Sequence, residues 1–69
     1  MIREAIGQVV AGGELTEEDA AETMREIMTG VATPAQLGAF LTALRLRGET
    51  ADEVTGLARV MREHAVHVP

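Results

Sequence analysis

Glycine and proline fall at Gly12-Gly13, Gly30, Pro34, Gly48 and Pro69 and cut a chain of 69 residues into four segments of roughly 10 to 15 residues. This punctuation constrains the fold more than any other feature, because both residues interrupt regular structure and the pieces between them have ordinary helix lengths. No segment reads as a strand. A typical domain takes about 100 residues, so residues 1–69 form one unit, an all-α domain built as a small bundle of four short helices.

The apolar set Ile2, Ala5, Ile6, Val9 and Val10 recurs at three- and four-residue spacing and predicts a first helix from Ile2 to Ala11. No capping residue precedes Ile2, and Gly7 in the interior costs about 1 kcal/mol relative to Ala. A second helix opens at Thr16, whose hydroxyl can accept from the Asp19 N–H, with Glu17, Glu18 and Asp19 at the positive end of the dipole. Ala20, Ala21, Met24, Ile27 and Met28 form its buried stripe, Glu18, Glu22, Arg25, Glu26 and Thr29 its solvent side, and Gly30 its left-handed C-terminal cap. Thr33-Pro34-Ala35-Gln36 is a capping box that starts a third helix. Its main stripe is Leu37, Phe40, Leu41 and Leu44, with a second apolar strip of Ala39, Ala43 and Leu46 on the far side. A helix apolar on two sides needs two neighbours, and Gly38 would let another backbone approach closely. Thr50-Ala51-Asp52-Glu53 repeats the capping box after Gly48, with Val54, Leu57, Ala58, Met61 and Ala65 facing inward on a fourth helix. Short connections make antiparallel neighbours the expected packing.

Absent residue types exclude much chemistry. The chain has no Cys, Ser, Asn, Lys, Tyr or Trp, which removes serine and cysteine nucleophiles, Schiff-base lysines and thiolate metal sites. All of the net charge of −5 lies in residues 1–30, so a nucleic-acid partner, which needs a basic patch, is not expected. No apolar run approaches the roughly 20 residues that span a bilayer, and the polar start from Met1 to Ala11 does not read as a cleaved signal, which predicts a cytoplasmic protein with no membrane partner. His64 and His67 are spaced to share a metal, but Glu63 points elsewhere on the helix and His64 serves as a dipole partner near the helix end. The carboxylates Glu17, Glu18, Asp19, Glu22 and Glu26 lack the calcium-loop pattern and read as a solvated face. Gly12-Gly13 reads as a turn, and Arg45, Arg47, Arg59 and Arg62 as surface or junction salt bridges.

The core is small for the ordering entropy it must offset, since it offers few large apolar residues and a single aromatic, Phe40. Added packing surface is therefore expected, with the first and third helices supplying it through Ile2, Ile6, Val9, Val10, Gly38, Ala39, Ala43 and Leu46.

The series Leu15-Thr16-Glu17-Glu18-Asp19-Ala20, Met24 to Gly30, Ala32 to Arg45, Gly48-Glu49-Thr50 and Val54 to Ala65 resembles the N-terminal helical domain of the anthranilate phosphoribosyltransferases. That group lies within a glycosyltransferase family shared with the pyrimidine nucleoside phosphorylases. The ending Arg62-Glu63-His64-Ala65 and the run Leu44-Arg45 with Gly48-Glu49 favour the anthranilate branch. The resemblance implies a parent enzyme that transfers the phosphoribosyl group of phosphoribosyl pyrophosphate to anthranilate, with Mg²⁺, in tryptophan biosynthesis. It places the pyrophosphate loop and metal-binding acids in a larger α/β domain that follows. No catalytic, cofactor-binding or metal residue then falls on this chain, which alone should be inactive and should serve homodimerisation and domain closure. The alternatives are a free-standing helical interaction module and the equivalent domain of a pyrimidine nucleoside phosphorylase.

Overall fold

A computed structural model describes residues 1–65, which form four helices: α1 (Ile2–Val10), α2 (Glu17–Met28), α3 (Pro34–Arg47) and α4 (Ala51–Ala65). The described residues contain no strand, so the all-α expectation holds. Local chemistry sets the boundaries. The Thr16 hydroxyl accepts from Asp19 N at 3.1 Å, and both predicted capping boxes form, Thr33 with Gln36 and Thr50 with Glu53. At the end of α1, Gly12 takes φ +89° while Gly12 N donates to Val9 O and Gly13 N to Gln8 O. At the end of α2, Gly30 at φ +82° and Val31 repeat this closure against Ile27 O and Glu26 O, satisfying carbonyls the helix leaves open.

Helix α1 has no side-chain cap of its own, and α2 supplies one. Glu26 accepts from Ile2 N at 3.0 Å and pairs with the N-terminal ammonium at 2.9 Å. The ammonium donates to and attracts this carboxylate, which outweighs partial desolvation and raises the ammonium pKa. The same contact lowers that of Glu26. Glu26 is thus not a freely solvated residue, while Glu17 and the 76% exposed Glu18 keep to the solvated face and flank Arg59 of α4 at 2.7 and 3.1 Å.

The helices stand in the order α3, α1, α2, α4: α3 packs on α1, α1 on α2, and α2 on α4, with no comparable packing between α3 and α4. This departs from purely antiparallel neighbours. Arg59 meets Glu17 and Arg25 meets Glu63, so α2 and α4 run in the same direction. Gly56 lets the two helices approach closely. A Cβ there would press into the Glu17 carbonyl oxygen and lie 2.9 Å from Ala20 Cβ, so only a bare α-carbon lets α4 seat on α2. Nothing lies within 4 Å of a Cβ built on Gly38, the position expected to allow such an approach.

The core comprises Ile2, Ala5, Val9, Leu15, Ala20, Phe40, Ala43 and Leu44, with Ile6, Ile27 and Leu57 packed against it. The inward stripes differ from the pattern in three helices: in α2, Met28 is 41% exposed and Thr23 is buried instead. In α3, Leu41 is 49% exposed. In α4 the buried residues are Glu53, Gly56 and Val60, whereas Val54 and Met61 are 52% and 46% exposed and Ala65 is exposed as well. Seating on Gly56 leaves Val54, Met61 and Ala65 outward, while Leu57 still packs against the core and Ala58 is half-buried. With α3 and α4 at the ends of the row, each carries apolar residues on a side no other helix covers. No described helix is long and apolar enough to cross a membrane.

Gly7 and Gly38 are exposed, mid-helix, and have open space where a Cβ would sit. Replacing either by Ala is expected to stabilise the chain by about 0.5–1 kcal/mol through lower unfolded-state entropy. A raised urea midpoint at unchanged slope checks this.

Candidate interaction surface

The C-terminal ends of α1 and α3 border an open groove of about 270 Å³ lined by Val9, Val10, Gly12, Ala43, Leu46 and Arg47. Val9 and Ala43 are buried and make its floor. Val10 and Leu46 stand at its edges, 70% and 84% exposed, and large apolar side chains so exposed mark a surface lacking a partner. Four of the eight sequence-predicted interface residues, Val9, Val10, Ala43 and Leu46, therefore meet at one place. Ile2 does not join them, because it is buried in the core at the other end of α1. Ile6 is half-buried against the core. Gly38 and Ala39 are exposed on the uncovered side of α3, beside exposed Ala35 and Thr42, where Arg45 is the one charged side chain of the helix turned to solvent.

At the polar end of the groove, Arg47, read from the sequence as a surface or junction salt bridge, is paired with Glu53. Arg47 Nη1 donates to Gly13 O, while Nε and Nη2 donate to Gly48 O at 3.3 and 3.1 Å. Nη2 also pairs with Glu53 Oε1. Glu53, fully buried, accepts from Leu15 N through Oε2 at 2.8 Å and from Thr50 N through Oε1 at 2.9 Å. Burial pushes the carboxyl toward its neutral form, but Arg47 and these two N–H groups outweigh it and hold the pKa below the ordinary glutamate value. The capping box hinted at Glu53; its bonds to Leu15 and Arg47 had no local signal.

The other candidate chemistries find no assembly. Arg45 pairs with Glu49 at 3.7 Å on the surface, whereas Arg47 is taken up by Gly13, Gly48 and Glu53, so the two arginines of α3 share no partner. His64 is exposed on the last turn of α4, and His67 lies outside the described residues. Among the described residues no three His, Asp or Glu groups are placed to hold a metal ion. Thr16, Thr33 and Thr50 spend their hydroxyls on caps, and Thr23, Thr29 and Thr55 on the carbonyls four residues back.

Residues 3–65 match the family described as the glycosyl transferase family, helical bundle domain. The chain is 60% identical over 68 residues to the anthranilate phosphoribosyltransferase of Pelobacter propionicus, covering 99% of this chain and 19% of that protein. It is 64% identical over 67 residues to that of Roseiflexus castenholzii and 63% identical over 67 residues to that of Chloroflexus aurantiacus, each alignment covering 97% of this chain and 20% of the relative. The chain thus spans about a fifth of the length of the curated relatives it matches. No solved structure matches it.

Proposed function

Because this chain belongs to the helical bundle domain of the glycosyl transferase family, we propose that it is the helical part of an anthranilate phosphoribosyltransferase. In this reading it serves subunit association and domain closure, while bond-making happens in polypeptide outside this segment. The observation that carries this reading is the identity of 60% or more, across nearly the whole chain, to relatives bearing that name. The same relatives favour the anthranilate branch over a nucleoside phosphorylase and a part over a free-standing module. Phosphoribosyl pyrophosphate finds no fitting cradle in the groove, whose lining is apolar except for Arg47, and that guanidinium is spent on Gly13, Gly48 and Glu53. Mg²⁺ likewise fits no carboxylate set among the described residues; in this reading the remainder of the enzyme holds the metal and the substrate charges. The association surface is the groove with the uncovered side of α3, where a second copy would form a homodimer. The outward apolar stripe of α4 suits the rest of the same subunit, in the cytoplasm.

Grafting this chain in place of the matching segment of the Pelobacter propionicus enzyme tests the reading. Phosphoribosyl transfer to anthranilate should be retained; a soluble, folded graft without activity would overturn it. The association arm is separate. The chain should self-associate in sedimentation, with a melting temperature that rises with concentration. Val10→Glu with Leu46→Glu should weaken association by at least about tenfold, because charge is placed on an apolar contact, while fold stability changes by about 0.5 kcal/mol or less per exposed site. A monomer at millimolar concentration would defeat this arm.

A further inference from the structure

We propose that the width of the association groove is set by Arg47, the polar residue of its lining, acting as a brace that the buried Glu53 positions from outside the groove. This deepens the association reading above and rests on it for its consequence, though not for its geometry. The two walls of the groove belong to α1 and α3, helices that are not consecutive in the chain, so no short covalent link spaces their ends. Arg47 is the link. Its Nη1 holds Gly13 O, next to the α1 wall residue Gly12, while Nε and Nη2 hold Gly48 O at the end of α3.

A planar guanidinium with donors on both edges can bridge two carbonyls at one fixed separation, which an ammonium cannot do. Arg47 could reach both only in one orientation, and Glu53 supplies it by taking Nη2. Glu53 is itself immobilised by Leu15 N, two residues beyond Gly13, and by Thr50 N, two residues beyond Gly48. The carboxylate therefore ties both connections, α1 to α2 and α3 to α4, to the same arginine. Glu53 is not a lining residue of the groove and acts on it only through Arg47. Arg45 is the internal comparison: it is on the same helix, 83% exposed, and paired only with Glu49.

The test compares Arg47→Lys with Arg45→Lys in the 69-residue chain, by methyl NMR at Val9, Val10, Ala43 and Leu46 and by sedimentation. Arg47→Lys should shift these groove methyl resonances and alter the Val10 to Leu46 proximity, and should weaken self-association by about tenfold at equal folded fraction, because lysine keeps the charge but loses the bridge. Arg45→Lys should leave both readouts as in the parent. Glu53→Gln should shift the same groove methyls although it is outside the groove. Groove resonances that ignore Arg47→Lys and Glu53→Gln would overturn the brace, as would equal effects from Arg45→Lys. If Arg47→Lys does not fold, the parent decides: the Arg47 side-chain N–H signals should be resolved and slow to exchange with water, and rapid exchange would overturn the proposal. A parent that stays monomeric but shows the methyl shifts would count against the association reading alone.

Discussion

Glu53→Ala is expected to cost about 3–5 kcal/mol, because it strips the partner from a mostly buried arginine and opens the α4 capping box at the same time. Few domains of this size have more stability than that, so the variant should be largely unfolded at 37 °C. The carboxylate it removes is fully buried and accepts from Arg47, Leu15 N and Thr50 N. Urea titration followed by circular dichroism measures the loss. Pairing it with Arg47→Met should recover part of the cost, since the isolated charge is what is expensive; fully additive losses would show that the two side chains act independently. The acid limb carries a second check. The folded pKa of Glu53 lies below its unfolded value, so its contribution is fully present above the unfolded carboxyl value of about 4.3 and is lost as pH falls through the folded value. Urea midpoints between pH 7 and 3 should therefore fall less steeply in Glu53→Gln than in the parent, with Glu4, Glu18 and Glu26, also lowered by their partners, supplying the residual slope.

Gly56→Ala should destabilise by about 2–3 kcal/mol, even though Ala gains about 1 kcal/mol of helix propensity over Gly. The added methyl meets the Glu17 carbonyl oxygen and stands 3.0 Å from Ala21 N, and backbone cannot swing aside as a side-chain tip would. The α2 and α4 helices must separate, which also stretches the Arg59 contacts to Glu17 and Glu18. Gly7→Ala and Gly38→Ala are the paired controls with the opposite sign, since open space surrounds both positions. A Gly56→Ala midpoint at or above that of the parent would show that the two helices can be prised apart at no cost.

What could be read from the sequence depended on the range of the interaction. Thr16, Thr33 and Thr50 announce their helices because each cap closes within three residues. Gly12 and Gly30 announce the ends for the same reason. Side-chain direction in α4 was legible only in part: of the stripe Val54, Leu57, Ala58, Met61 and Ala65, Leu57 packs against the core, whereas Val54, Met61 and Ala65 are exposed, and only contact with α2 reveals that Gly56 faces in. The same limit made Gly38 look like the close-packing glycine, since two bare α-carbons in apolar helices cannot be told apart without their neighbours. In the interaction surface, Leu46 was legible as part of a second apolar strip on α3 and Val10 as a member of the apolar face of α1, and both are exposed. The distant partners of Arg47 and Glu53 were not legible, because the groups these side chains hold across the fold, Gly13 and Leu15, are 34 and 38 positions away.

The spatial order of the helices also bears on how the molecule is made. During synthesis α1 and α2 leave the ribosome first, yet each has its larger contact with a helix not yet translated. The ties that lock the arrangement, Leu15 with Glu53 and Glu17 with Arg59, join residues 38 and 42 positions apart. A nascent chain halted before Gly56 therefore lacks the α2–α4 packing and the Glu17–Arg59 tie, and the complete arrangement waits until α4 clears the exit tunnel.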